Sequence, residues 1–515
     1  MPLFEITLLL LAVAVVFLQV ARRLRLPYPS LLALAGGCVA VVPLAPHLNI
    51  EPRLVLALFV APAVMEAAFE MPPREMLRNW LPLLSLAVLL VLVTTAAVAW
   101  AGAALAGLPV AAAIALGAIV APPDAAAASA VLREFNLPRR TMSVLQGESL
   151  LNDAVALLAF GLAVSAATSP GGTWELLVPR LLIAVPGGAV LGILLGTLGT
   201  RIVRTLAGTL SSIIVQFLIT YGAWILADRL GLSPIMAVVA LAAVASHYSP
   251  ARTRARDRLN TNAVWATVVF ILNVLAFLLM GLQARAILSQ MQSEALTHAL
   301  GFAFTVLGIV IGVRFAWVML YGFVVRRLRH FLKKGVLPGR VPNVRTGVLV
   351  SWCGMRGLVT VATALALPRE FPGRDLIVLS AFTGVLGTLI LQGFTMRPLI
   401  ALLRIDADAS LDEDVSRARA SMLDAALTVL ADVSGEGAAA LRAEYGATRA
   451  ASVDRTRPMT DYDHLRLQAI AAERGLLIQW RSEGRIQDDA FHVLEDELDR
   501  AELHAGSSGT TWLES

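Results

Sequence analysis

Apolar stretches of about twenty residues, separated by short polar or basic segments, recur from Leu3 to Pro398. A helical run of that length crosses a hydrocarbon core about 30 Å thick. Only a helix satisfies every backbone group within such a run. The pattern predicts thirteen spans, at roughly 4–21, 29–45, 53–70, 80–101, 109–132, 142–167, 175–202, 209–227, 233–247, 262–286, 296–325, 345–367 and 375–398. An odd number of spans puts the two termini on opposite sides. Every second loop is rich in arginine: Arg22, Arg23 and Arg25; Arg74 and Arg78; Arg133, Arg139 and Arg140; Arg201 and Arg204; Arg252, Arg254, Arg256 and Arg258; then Arg326 to Arg345 with Lys333 and Lys334. The intervening loops carry far fewer basic residues. Basic loops stay cytoplasmic, so the N-terminus is expected outside and the segment after about Arg404 inside.

Two of the spans are interrupted. The fifth contains "VAPPDAAAAS", where Pro122-Pro123 removes two backbone donors and Asp124 follows directly. The twelfth contains "SWCGMRGLVT", with Gly354 and Gly357 flanking Arg356. If the first six and last six spans form two repeats joined by the seventh, these interruptions fall at corresponding positions. A matched pair of broken helices points to a binding site at the middle of an inverted-repeat transporter. The half-helix ends present N–H and C=O groups and partial charges that an ion or a side chain must satisfy. The expected fold is therefore an all-α polytopic membrane protein of about thirteen transmembrane helices. It comprises two inverted six-helix repeats with crossing discontinuous helices, plus a small helical cytoplasmic tail.

Composition fits this picture: 57% of the 515 residues are hydrophobic and the mean hydropathy is +0.73, which excludes an ordinary soluble globule. The first residues have neither a basic n-region nor a small-residue cleavage site, so they read as a retained first helix. Cys38 and Cys353 lie in separate apolar segments and suggest neither a disulfide framework nor a metal site. The formal charge is +5, yet beyond Ile405 acidic residues outnumber basic ones about two to one. The positive excess thus belongs to topology-setting loops, and no nucleic-acid partner is expected. Residues 1–403 read as the transmembrane domain and 404–515 as a cytoplasmic tail. "SRARASMLDAALTVLADV" and "DAFHVLEDELDRAEL" in the tail have helical spacing with charged faces, fitting an appendage for assembly or regulation.

The chemistry concentrates in "GESLLNDAVALLAF", residues 147–160. Ser149 and Asp153 are four apart and share one helix face, while Glu148 and Asn152 share the adjacent stripe. Asp153 is about eleven residues from the cytoplasmic end of its span, near the bilayer centre at about 1.5 Å per residue. An ionisable group there is a functional candidate by default, and Asn152 serves either the site or helix–helix contact. Asp124, at the first break, either faces Asp153 across the bundle or caps the second half-helix. Two carboxylates, a hydroxyl and freed carbonyls make a hard oxygen environment suited to Na⁺ or another small cation, without the Cys/His cluster of a transition-metal site. Glu66 in "VMEAAFEM" reads equally as part of a water-lined ion pathway or as a structural partner. Arg314 and Arg356 are the cations committed to spans. Arg314 is expected to pair with Glu148, and Arg356 to compensate half-helix dipoles or carboxylates around the second break.

At these residues the chain resembles the cation:proton antiporter-1 family, the NhaP-type Na⁺/H⁺ antiporters related to the animal sodium–proton exchangers. "LREFNLPRRTMSVLQGESLLNDAVALLAF" carries the resemblance most strongly, with "MEAAFEM", "NVLAFLLMGLQ" and "SWCGMRGLVTVATALALP" in the expected order. The resemblance implies that Asp153 is the ion-binding, proton-exchanging carboxylate and Asn152 the Asn of an Asn-Asp pair. Ser149 and Asp124 match further Na⁺ ligands, Glu148 and Arg314 a buried ion pair, Glu66 an acid near the ion path, and Arg356 the arginine of the second crossing helix. Where the family usually has Thr-Asp-Pro, this chain has Pro123-Asp124-Ala125. Pro123 keeps only the main-chain carbonyl of that ligand position. The resemblance further implies electroneutral exchange of a monovalent cation, Na⁺ before K⁺, for H⁺ by alternating access in a plasma-membrane homodimer. It implies no cofactor and no enzymatic activity. The rival from another class is a cation channel, which would conduct without proton coupling.

Overall fold

The computed structural model describes residues 3–24, 28–39, 52–70, 78–124, 132, 138–168, 174–248, 255–290, 293–331, 343–405, 410–453, 461–483 and 485–506. The basic segments containing Arg74, Arg133, Arg252, Arg254, Lys333 and Lys334 lie outside the described residues, as does Ala125.

Every regular element among the described residues is helical. The chain begins with α1 (Leu3–Leu24) and α2 (Tyr28–Val39). The third apolar stretch enters through Pro52–Val55 and a π-helical segment, Leu56–Val60, before becoming α3 (Ala61–Glu70). The fourth likewise passes from Trp80–Leu83 through a π-helical Leu84–Leu89 into α4 (Leu90–Ala106). Then come α5 (Val110–Val120), α6 (Arg139–Thr168), α7 (Trp174–Thr205), α8 (Ser211–Arg229), α9 (Pro234–Tyr248), α10 (Ala255–Gln290) and α11 (Ser293–Phe331). The twelfth apolar stretch is split into α12 (Val344–Trp352) and α13 (Leu358–Leu365), and α14 (Arg374–Leu403) follows. Seven described helices are long and apolar enough to cross a membrane, and four shorter apolar ones accompany them, among them Val110–Val120 and Pro234–Ser246. The protein is a polytopic helical membrane protein.

Two apolar cores organise the helices. One joins Val98 of α4, Ile119 of α5, Phe160 of α6, Val306 of α11 and Ile377 of α14. The other draws in Leu32 of α2, Val64 of α3, Trp224 of α8, Val238 of α9, Phe277 of α10 and Leu389 of α14. Residues of α12 and α13 such as Leu349 and Val361 also face the second core. Without a hydrophobic drive between helices in lipid, close backbone approach at small residues supplies much of the packing. Gly117 shows this on α5: a Cβ there would run into the backbone of Thr95 on α4. That contact fixes α5 one turn before its break.

The contacts divide the chain into two compact units, Met1–Ala407 and Asp408–Ser515. The second holds α15 (Ser410–Ala431), α16 (Glu436–Val453), α17 (Asp461–Ser482) and α18 (Asp488–Gly506). α15 packs on α16, and α17 on α18. Arg449 forks onto Asp424 across the first pair, and Arg474 reaches Asp499 at 2.8 Å and Glu502 at 2.6 Å across the second. Hydrogen bonds to these two carboxylates, Asp499 first, raise the Arg474 pKa and hold its guanidinium charged.

Candidate functional site

α5 ends because Pro122 and Pro123 cannot continue its hydrogen-bond ladder, leaving the carbonyls of its last turn without helical partners. Arg356 takes them. Its Nε donates to the Val120 carbonyl at 2.9 Å and its Nη2 to the Ala121 carbonyl at 3.1 Å, while Nη1 turns back to Gly354. A buried guanidinium thus sits where the negative end of the α5 dipole emerges. The exchange is reciprocal. Asp124 lies at the start of α13, where its Oδ2 accepts from the Leu358 N–H at 3.2 Å. The Asp124 N–H donates to the Met355 carbonyl at 2.7 Å. The two interrupted segments therefore cap one another, each supplying the charge the other's helix end requires. The sequence offered Asp124 either a place facing Asp153 or the cap of its own second half-helix, and put Arg356 at the second break. The structure shows each reaching the opposite segment, while residues 125–131, where that second half-helix would begin, lie outside the described residues.

Gly357 makes the crossing possible. It is the N-cap of α13, and a Cβ on it would overlap the Asp124 carboxylate. On the far side, the Thr388 hydroxyl of α14 accepts from the Arg356 N–H at 3.0 Å, tying the break to a continuous helix.

α6 runs past this crossing and presents its two stripes differently. Glu148 and Asn152 are buried, at 1% and 0% exposure, whereas Ser149 and Asp153 keep partial exposure. Glu148 receives the fork of Arg314 from α11, with Nη2 at 3.0 Å from Oε2 and Nη1 on Oε1. Arg314 Nη2 also donates to the Val350 carbonyl of α12 at 3.0 Å, and the side chain lies against Gly354. The ion pair therefore braces the second break as well as α6. Asn152 Nδ2 donates to the Pro123 carbonyl at 3.0 Å, while its buried Oδ1 meets no protein partner. The predicted ligand carbonyl of Pro123 is thus already engaged by Asn152. That bond brings α6 against the chain directly before Asp124, and Asp153 follows Asn152 in the same helix. Glu66 is half-buried on α3, a helix that packs on α8 and α9 and also touches α6.

Sequence reasoning missed two features around this site. The π-helical segments are one: Trp317, one turn from Arg314, donates to the Ser85 carbonyl at 3.2 Å and to its hydroxyl at 3.1 Å, and the Tyr221 hydroxyl donates to the Leu58 carbonyl at 3.4 Å. π-turns often mark functional regions, but no residue pattern announced them. The role of Thr388 is the other. A threonine every helix tolerates gave no signal until Arg356 was seen beside it.

A helix end and a broken helix that cap one another, a buried ion pair, and carboxylates set among apolar helices thus meet within one polytopic helical membrane protein. The sequence pattern of the family described as "Sodium/hydrogen exchanger, transmembrane" matches residues 8–402. An uncharacterised Na⁺/H⁺ exchanger of Mycobacterium tuberculosis is 32% identical over 436 residues, covering 83% of this chain and 79% of the relative. A sodium, potassium, lithium and rubidium/H⁺ antiporter of Bacillus pumilus is 30% identical, covering 79% of this chain and 62% of the relative. Among solved structures, the sodium–proton antiporter MjNhaP1 of Methanocaldococcus jannaschii superposes with a TM-score of 0.59 at 18% identity, covering 76% of this chain and all of that one. The chain belongs to the sodium/hydrogen exchanger family and shares the fold of MjNhaP1.

Proposed function

We propose that the protein exchanges a monovalent cation, Na⁺ first, for protons across the cell membrane by alternating access, one for one and without net charge movement. The observation that carries this is the division of α6 into a sealed stripe, Glu148 and Asn152, and a partly exposed stripe, Ser149 and Asp153. Asp124 and Asp153, with the Ser149 hydroxyl, offer hard oxygen ligands of the kind a small cation prefers. Glu148, Arg314, Asn152 and Arg356 keep those ligands in position, and Glu66 lies on the approach.

Coupling follows from electrostatics. A bare carboxylate is costly away from water, whereas one carrying a proton or a cation is tolerated. If access changes only when Asp153 carries one or the other, proton and cation must move in opposite directions. Around this site the chain is read as thirteen crossings, with two inverted six-helix repeats, the N-terminus outside, the tail cytoplasmic, and a homodimer as the assembled form.

In vesicles with a preset ΔpH, adding Na⁺ collapses the gradient for the wild type, and Asp153→Asn abolishes the response. Retained exchange in a correctly inserted Asp153→Asn variant overturns the assignment. K⁺/H⁺ exchange is the second reading. Position 123 offers only a carbonyl, already bonded to Asn152, and the Bacillus pumilus relative is named for Na⁺, K⁺, Li⁺ and Rb⁺. Repeating the assay with each cation decides between them.

A further inference from the structure

Gln392 of α14 is buried at 0% exposure, and neither its Nε2 nor its Oε1 meets a protein partner. A side-chain amide carries two donors and an acceptor oxygen. When sealed inside a protein, such groups are satisfied by other residues or by ordered water.

Two contacts fix what Gln392 faces. Thr388, one turn before it, accepts from the Arg356 N–H at 3.0 Å. Thr395, three residues after it, accepts from Trp352 Nε1 at 2.8 Å. Positions 388, 392 and 395 fall within one narrow stripe of a helix. The amide is therefore bracketed by the residues on either side of the second break. It is level with Cys353, Gly354 and Met355, a buried, non-helical stretch. There the Cys353 N–H still bonds the Leu349 carbonyl, and the Gly354 and Met355 carbonyls meet Arg356 and Asp124, so the Cys353 carbonyl and the Gly354 and Met355 N–H groups are the ones a water would join.

We propose that Gln392 holds an ordered water against the Cys353–Met355 segment, and that this water ties α14 to the break carrying Arg356. The ligand is water and not a second cation for two reasons. The buried Arg356 guanidinium stands in the same break and repels positive charge, and an amide's paired donor and acceptor match the two faces of water. Gln392 is a positioning residue: its bridge holds the peptide from which Arg356 reaches the carbonyls of α5. The proposal goes beyond ion exchange and does not depend on which ion is carried.

X-ray radiolytic footprinting of the full-length protein in lipid nanodiscs tests it. Hydroxyl radicals formed from a bound water oxidise the side chains beside it even where bulk water does not reach. The expected result is clear oxidation of buried Cys353 and Met355 in the wild type, falling several-fold in Gln392→Leu, while Met142 and Met236 label equally in both proteins. Gln392→Met, which keeps the length without the amide, repeats the comparison if the leucine variant fails to fold. The midpoint of thermal unfolding is the second readout. Loss of a water bridge lowers it, whereas removing a dry, unbonded amide raises it. Absent labelling at both sulfur residues in the wild type, unchanged labelling in the variants, or a raised midpoint overturns the proposal. None of these readouts requires transport, so their failure leaves the exchange reading untouched.

Discussion

The Glu148–Arg314 pair sets the strongest constraint on any single residue. Both side chains are almost wholly buried, and removing one partner strands a charge that neither water nor protein compensates. Arg314→Met is expected to destabilise the protein by about 3–5 kcal/mol, read as a large fall in the unfolding midpoint in detergent. The double change Glu148→Gln with Arg314→Met should recover part of that loss, because the uncompensated charge is gone. A double variant no more stable than Arg314→Met would mean that the hydrogen bond to Val350 and the packing against Gly354 carry the effect. Gly357→Ala acts by another route. The added methyl enters the volume of the Asp124 carboxylate, so Asp124 must leave the α13 N-terminus or the crossing must open. Sodium-dependent ΔpH collapse should be lost and the midpoint lowered, whereas Gly437→Ala on exposed α16, where a methyl meets open space, should leave both unchanged.

Among the elements, the reciprocal capping of α5 and α13 is what turns two sequence irregularities into one structure. Arg356→Met removes the donors to Val120 and Ala121, and the last turn of α5 should fray. Hydrogen–deuterium exchange should then rise over 117–121 while α4, next door, stays protected; unchanged protection would show that the Gly117–Thr95 contact alone holds the turn. The breaks were legible in the sequence because Pro122-Pro123 and the glycines around Arg356 are local signals, and the presence of long apolar helices because hydropathy is averaged over a whole helix. The partners were not. That Asp124 caps α13 and Arg356 caps α5 depends on two segments more than two hundred residues apart crossing at one depth, and no periodicity encodes a crossing. The same limit applies to the π-helical turns, which are satisfied by Trp317 and Tyr221 from distant helices. The stripes of α6 lie between these cases: spacing alone separated Ser149 and Asp153 from Glu148 and Asn152, because both stripes belong to one uninterrupted helix.

For the molecule as a whole, the division at Ala407 and Asp408 makes its own prediction. Every residue assigned to the ion site, from Glu66 to Arg356, lies in the first unit, and the family pattern stops at residue 402. The second unit is charged, helical and stabilised within itself by Arg449–Asp424 and Arg474–Asp499 contacts. Such exposed pairs contribute little to stability and are screened by salt, so raising ionic strength should cost the tail's own fold little and the apolar membrane unit nothing. A chain truncated after Ala407 should therefore insert, keep the unfolding midpoint of the membrane unit and catalyse cation–proton exchange. Any regulatory contribution of the tail should then appear as a displaced pH–activity curve with the maximal rate kept. Reconstituting both forms at matched density and measuring initial rates of ΔpH collapse across pH separates the cases. A folded, inserted truncation that no longer exchanges would place the tail inside the transport cycle, because nothing in the chemistry of Asp124 and Asp153 calls on residues beyond 407.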